Sequence, residues 1–195
     1  MRRLSNALFV GLLPLFLILV YYNIPFHGTI DSDSEFTSQS LPSPAFNSFP
    51  LDKKITASDG LTYEKFGRSV SVSGDTLAVG KRNDYIGTYT KIGSVYIFDR
   101  NNGGPDNWGQ TVRLMASDGE DDDDFGFSVS IDGKILAVGA PYDDIGANGN
   151  QGSVYIFERD TGGWSQVKKL TASDGAPGDN FGWSVSVSGN LLLVG

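Results

Sequence analysis

The chain has 195 residues, a formal net charge of −8, no cysteine and one histidine, His27. The missing cysteine excludes disulfides, thiolate nucleophiles and cysteine-ligated zinc, and a lone histidine near the N-terminus excludes a multi-histidine metal site or a Ser-His-Asp triad further along. Arg2 and Arg3 are the only charges before Asp31, so the remainder sets thirteen basic against twenty-three acidic residues, a balance that argues against nucleic acid as a partner and suits carboxylate binding of hard cations.

The first element in chain order is hydrophobic. Residues 4–26 carry no charge and 7–22 are almost continuously apolar, which predicts a helix that targets a membrane over residues 1–26. A basic start and an apolar core are features of a signal peptide, but no small-x-small cleavage site follows Val20. The length also reaches the roughly 20 residues of a spanning helix, with Tyr21 and Tyr22 placed as an aromatic belt. The basic flank then keeps the N-terminus cytoplasmic and puts the rest on the other side. Both readings, secreted or single-pass membrane, stay open. Residues 27–50, rich in Ser, Pro and Asp without periodicity, read as a disordered linker.

From residue 51 onward the chain repeats. Ala-Ser-Asp-Gly begins at Ala57, Ala116 and Ala172, and Phe-Gly follows in the same frame at Phe66, Phe125 and Phe181, with spacings of 59 and 56 residues. Ser-Val-Ser recurs at Ser69, Ser128 and Ser184, Leu-Ala-Val-Gly at Leu77 and Leu136, and Gly-Ser-Val-Tyr-Ile-Phe at Gly93 and Gly152. In the first copy this predicts strands over 67–73, 76–80, 94–99 and 108–116, punctuated by Gly-rich turns. Four short strands at this interval are the pattern of a β-propeller blade. Val70 and Val72 alternate with Ser69, Ser71 and Ser73, small residues suited to an inner strand where blades converge. The expected fold of 51–195 is therefore all-β: a partial β-propeller of four-stranded antiparallel blades, about two and a half of them. The third repeat stops in mid-blade, which predicts more repeats, and residues 51–57 resemble the last strand of a repeat, one that closes the ring against the final blade.

These blocks, in this order, resemble FG-GAP repeats, the propeller repeats of integrin α-subunit ectodomains. The resemblance covers residues 51–195 and rests on Phe-Gly, Leu-Ala-Val-Gly-Ala-Pro from Leu136, Gly-Ser-Val-Tyr-Ile-Phe and Ala-Ser-Asp-Gly. It implies an extracellular, adhesive, calcium-binding propeller whose partner is a protein or glycan.

The loop over residues 140–152 offers several oxygens in a short space, and calcium takes six to eight of them. Asp143, Asp144, Asn148 and Asn150 are the candidate Ca2+ ligands, with backbone carbonyls near Gly146. The loop departs from the family's Asp-x-Asp/Asn-x-Asp/Asn-Gly-x-x-Asp motif, and Asx residues with glycine also form ordinary turns, so both readings stand. The equivalent loop of the first repeat holds Asp84, Tyr85, Tyr89 and Lys91, whose ammonium argues against an ion there. The acidic run from Glu120 to Asp124 reads as an exposed inter-blade loop outside the repeat design, and Trp108 and Trp164 read as blade packing. The functional expectation is a non-catalytic adhesion or recognition module. The alternatives are the scaffold of a larger hydrolase and a structural coat protein.

Overall fold

The computed structural model describes residues 54–195 apart from Thr62, Tyr89 and Asp106. The expected N-terminal helix and linker lie outside these residues; among the described residues no helix is long and apolar enough to cross a membrane.

Among the described residues ten strands form three antiparallel sheets. Blade 1 consists of β1 (Phe66–Ser73), β2 (Thr76–Lys81), β3 (Ser94–Asp99) and β4 (Gly109–Leu114), and blade 2 of β5 (Ser128–Asp132), β6 (Ile135–Ala140), β7 (Ser153–Asp160) and β8 (Gly163–Leu170). β9 (Val185–Ser188) and β10 (Leu191–Val194) form the described part of blade 3. Each blade is a meander in sequence order, and two-residue turns join its first pair of strands. Gly74, Gly133 and Gly189, with φ of 56°, 57° and 53°, supply the left-handed position that tight hairpins need. The third and fourth strands share a register shift at equivalent places, Ile97/Phe98 and Ile156/Phe157, so even the β-bulge belongs to the repeat.

Strand alternation decides how blades stack. On β1 the serines face blade 2: Ser69 Oγ donates to Gly126 O at 2.7 Å, while Ser71 Oγ and Ser73 Oγ accept from Ile131 N and Gly133 N at 3.1 and 3.0 Å. Ser128, Ser130 and Asp132 repeat this toward blade 3, on Gly182 O, Val187 N and Gly189 N. These bonds bind side chains to the backbone of the next inner strand, and only short side chains can make them at this spacing. Gly80 and Gly139 are part of the same fit, since an added Cβ would stand 2.1 Å from Gly126 O and 2.0 Å from Gly182 O respectively.

The apolar faces form the core. Ala78, Val95, Ile97 and Leu114 of blade 1 close on Phe125, Val129, Ile131, Leu136, Val138, Tyr155 and Phe157, all buried. Each such side chain, removed from water, contributes on the order of 1.5–3 kcal/mol. The other face of blade 1 carries Val79, Tyr96 and Phe98, packed by Ile55, Ala57 and Phe66. At the outer part of the blades Arg159 clamps Asp99 at 2.9 and 2.7 Å and reaches Thr76 Oγ1 at 3.1 Å.

Two expectations change. The described part of 51–57, residues 54–57, is not a strand but a cover for the face of blade 1, because Ile55 and Ala57 find apolar partners there. The acidic run is only half exposed: Asp123 and Asp124 are 4% and 5% accessible. Asp123 does belong to the repeat, since its Oδ2 accepts from Glu120 N at 2.7 Å, as Glu64 accepts from Leu61 N and Asp179 from Ala176 N. Trp108 and Trp164 pack against the two cores and lie beneath Arg100 and Arg159, in keeping with a packing role.

Candidate functional site

The β2–β3 loop (82–93), the β4–β5 loop (115–127) and the β6–β7 loop (141–152) meet where blades 1 and 2 adjoin, and every candidate ligand of the sequence reading lies in the last of them. The four do not share a centre. Asp143 is turned into the blade: its Oδ2 accepts from Ser153 Oγ at 2.5 Å, lies 3.0 Å from the Tyr155 hydroxyl and pairs with Lys169 Nζ at 2.8 Å. Asp144 is exposed, and its Oδ1 accepts from Asn150 N at 2.7 Å. Asn148 donates through Nδ2 to Gln151 Oε1 and Gly175 O. Main-chain bonds between Ile145 and Asn148 close the turn, with Gly146 and Asn150 at φ of 64° and 53°.

Blade 1 shows what Asp143 is for. Asp84, its equivalent, accepts from Ser94 Oγ at 2.5 Å, pairs with Arg113 and lies 3.4 Å from the Tyr96 hydroxyl. The aspartate of Ala-Ser-Asp-Gly completes both networks. Tyr96 and Arg113 hydrogen-bond to Asp59 at 2.6 and 2.9 Å, and Tyr155 and Lys169 to Asp118 at 3.0 and 2.7 Å. Two aspartates, a serine, a tyrosine and a cation thus pin the loop and the inter-blade connector to the third and fourth strands. Burial works against the charged form of Lys169, but its bonds to Asp118, Asp143 and Tyr155 outweigh this and raise its pKa. Burial and the bond to Asp59 push the Tyr96 hydroxyl up to about 12.

Asp143, Asp144 and Asn148 are thus each engaged within the blade or its loops. The Lys169 ammonium already stands beside Asp143, and Asp144 is held by its own loop. Among the described residues no group of three or more His, Asp or Glu side chains could hold a metal ion.

One difference between the blades concerns a buried charge. Lys81, fully buried, pairs with Glu64 at 2.7 Å and Asp84 at 3.0 Å. Ala140 takes its place in blade 2, leaving Asp123 without that ammonium. Burial, with the Asp143 charge added to it, raises Asp123 to about 7 despite the bond from Glu120 N.

Beside this region is a cleft of about 400 Å³, lined by Arg82, Asn83, Lys91, Asp122, Asp124, Tyr142 and Asn150. Lys91 pairs with Asp122 at 2.8 Å, and Arg82 with Asp124 at 3.4 Å. Burial raises Asp124 to about 6, against the pull of Arg82 and Lys91. Arg82 carried no signal in a sequence reading that followed oxygen-rich loops. Its difference from Pro141 in the aligned repeat was the available sign.

Inner strands that bond forward through serines, and four-stranded meanders stacked face to face, define the blades of a β-propeller. The family profile described as FG-GAP repeat matches residues 50–98, 108–157 and 164–195. The chain belongs to the FG-GAP repeat family. A search of curated proteins finds no match.

Proposed function

We propose that the chain is a non-catalytic recognition module, delivered by its hydrophobic N-terminus into or across a membrane, with its loop face presented to an extracytoplasmic partner. The observation that carries this reading is the contrast within the repeat. Strand residues recur in frame from blade to blade, while the β2–β3 and β6–β7 loops differ in charge and in side chain. A fixed scaffold with variable loops is how binding proteins separate stability from specificity. The lack of cysteine and the placement of the only histidine outside the repeats support a non-catalytic role.

The test is to express the full chain with a C-terminal tag and ask whether the tag is accessible to an impermeant label on intact cells or in the medium. The purified chain is then applied to cell surfaces. Labelling together with saturable binding is expected; a tag confined to the cytosol would refute the proposal.

A further inference from the structure

The cleft between blades 1 and 2 has side chains that the repeat does not require. At both junctions the connector is laced to the preceding loop through main-chain bonds. At the first, Asp122 N, Asp124 N and Phe125 N donate to Thr90 O, Lys91 O and Ile92 O at 2.9, 3.0 and 3.0 Å. At the second, Gly178 N, Asn180 N and Phe181 N donate to Gly149 O, Asn150 O and Gln151 O at 2.9, 3.1 and 2.8 Å. In the repeat frame Arg82, Lys91, Asp122 and Asp124 correspond to Pro141, Asn150, Gly178 and Asn180. Four charges stand at one junction and none at the other on the same backbone pattern, so lacing the blades does not account for them.

Asp124 is also incompletely used. Its side chain is 7% exposed, its Oδ2 faces Arg82 Nη1, and its Oδ1 has no hydrogen-bond partner; Arg82 Nε is buried and equally without one. A buried carboxylate oxygen without a donor is costly to maintain and calls for an explanation. The Arg82 side chain is 25% exposed, and both residues line the cleft.

The charge balance selects the ligand class. Lys91 with Asp122 and Arg82 with Asp124 cancel, which leaves no net charge to attract an anion or a metal ion. What remains is one strong acceptor beside one donor, flanked by the Asn83 and Asn150 amides, which can both donate and accept, and by the Tyr142 ring. A hydroxyl group satisfies the pair at once, donating to Oδ1 and accepting from Nε. The volume falls at the lower end of the roughly 300–1,000 Å³ of small-molecule sites, enough for a sugar ring or a pair. We propose that this cleft binds a neutral saccharide, with Asp124 as acceptor, Arg82 as donor and Tyr142 as an apolar wall. The proposal rests on the recognition reading above and assigns its ligand class and site.

The experiment screens the full chain, in detergent, against a panel of neutral mono- and disaccharides, with free amino acids and inorganic phosphate as competing probes. Binding is then measured by calorimetry. Asp124→Asn and the double variant Lys91→Asn, Asp122→Gly introduce the residues that the second junction already carries, and thermal melting confirms that they fold. At least one saccharide is expected to bind wild type, and Asp124→Asn to weaken it by about tenfold or more. The proposal is overturned if no saccharide binds at about 10 mM, a free energy of under 3 kcal/mol, if Asp124→Asn binds as wild type does, or if amino acids or phosphate bind in preference. Cell-surface binding that persists without saccharide binding removes this assignment and leaves the recognition reading in place.

Discussion

Replacing Asp143 by alanine separates a calcium ligand from a structural bracket. The substitution removes the acceptor of Ser153 Oγ and one of the two carboxylates facing Lys169 Nζ, and it leaves the buried Tyr155 hydroxyl with Asp118 alone. Breaking a fully buried ion pair from one side costs about 3–5 kcal/mol. Lys169 is 26% exposed and keeps Asp118 at 2.7 Å, so solvent and the second carboxylate reduce the loss to roughly 2–3 kcal/mol. For a domain of this size that lowers Tm by roughly 5–10 °C. The assay is thermal unfolding by circular dichroism, with chelator and with millimolar calcium. The expected result is the same loss in both conditions. If Asp143→Ala melts within about 1 °C of wild type in chelator, or if calcium stabilises wild type and the variant loses only that gain, the bracket argument is wrong and the carboxylate is an ion ligand.

Other outcomes follow from the same geometry. Lys81→Ala strands Glu64 and Asp84 in the interior of blade 1 and is expected to cost about 3–5 kcal/mol, read as a loss of folded protein in urea titration, whereas Ala140→Gly in the equivalent frame removes only a buried methyl and costs about 1–2 kcal/mol. Asp123 has a folded-state pKa of about 7 against an ordinary 3.8. The folded state therefore holds a proton that the unfolded state has released, and stability falls as pH rises from about 4 to 7. Asp123→Asn should flatten that slope and raise stability at pH 8 by at least about 1 kcal/mol; a slope unchanged in the variant would show that Asp123 does not carry it. Gly80→Ala drives a Cβ against Gly126 O and should cost about 1–3 kcal/mol or more, and Ser71→Ala about 1 kcal/mol through the lost bond from Ile131 N, both measurable as shifts in urea midpoint.

Much of the fold could be read from the sequence because a repeat displays its own constraints. Periodicity located the strands: β3 falls on 94–99 as expected, β1 and β2 each gain one residue at an end, and β4 is shorter than expected by one residue at its start and two at its end. The Ser-Val alternation also separated the two faces of the first strand: the serines bond to the next blade, while Val70 and Val72 on the other face of β1 are 63% and 62% exposed. These are local properties, fixed by side-chain period and turn chemistry.

The tertiary structure alone decided what the charged residues do. In sequence Asp143 and Asp144 are neighbours in an oxygen-rich loop. In space Asp143 lies against Lys169, twenty-six positions away, and Asp144 turns out to cap its own loop. Nothing in the spacing indicates this, because ion pairing and burial act over distances between atoms and not along the chain. The acidic run is divided for the same reason: the backbone lacing of the connector carries Asp123 and Asp124 inward and leaves Asp121 and Asp122 in solvent. Period and pattern therefore set the scaffold of this protein, while the meeting of loops from successive blades sets which carboxylates are paired, which are buried, and which one is left with an unused oxygen.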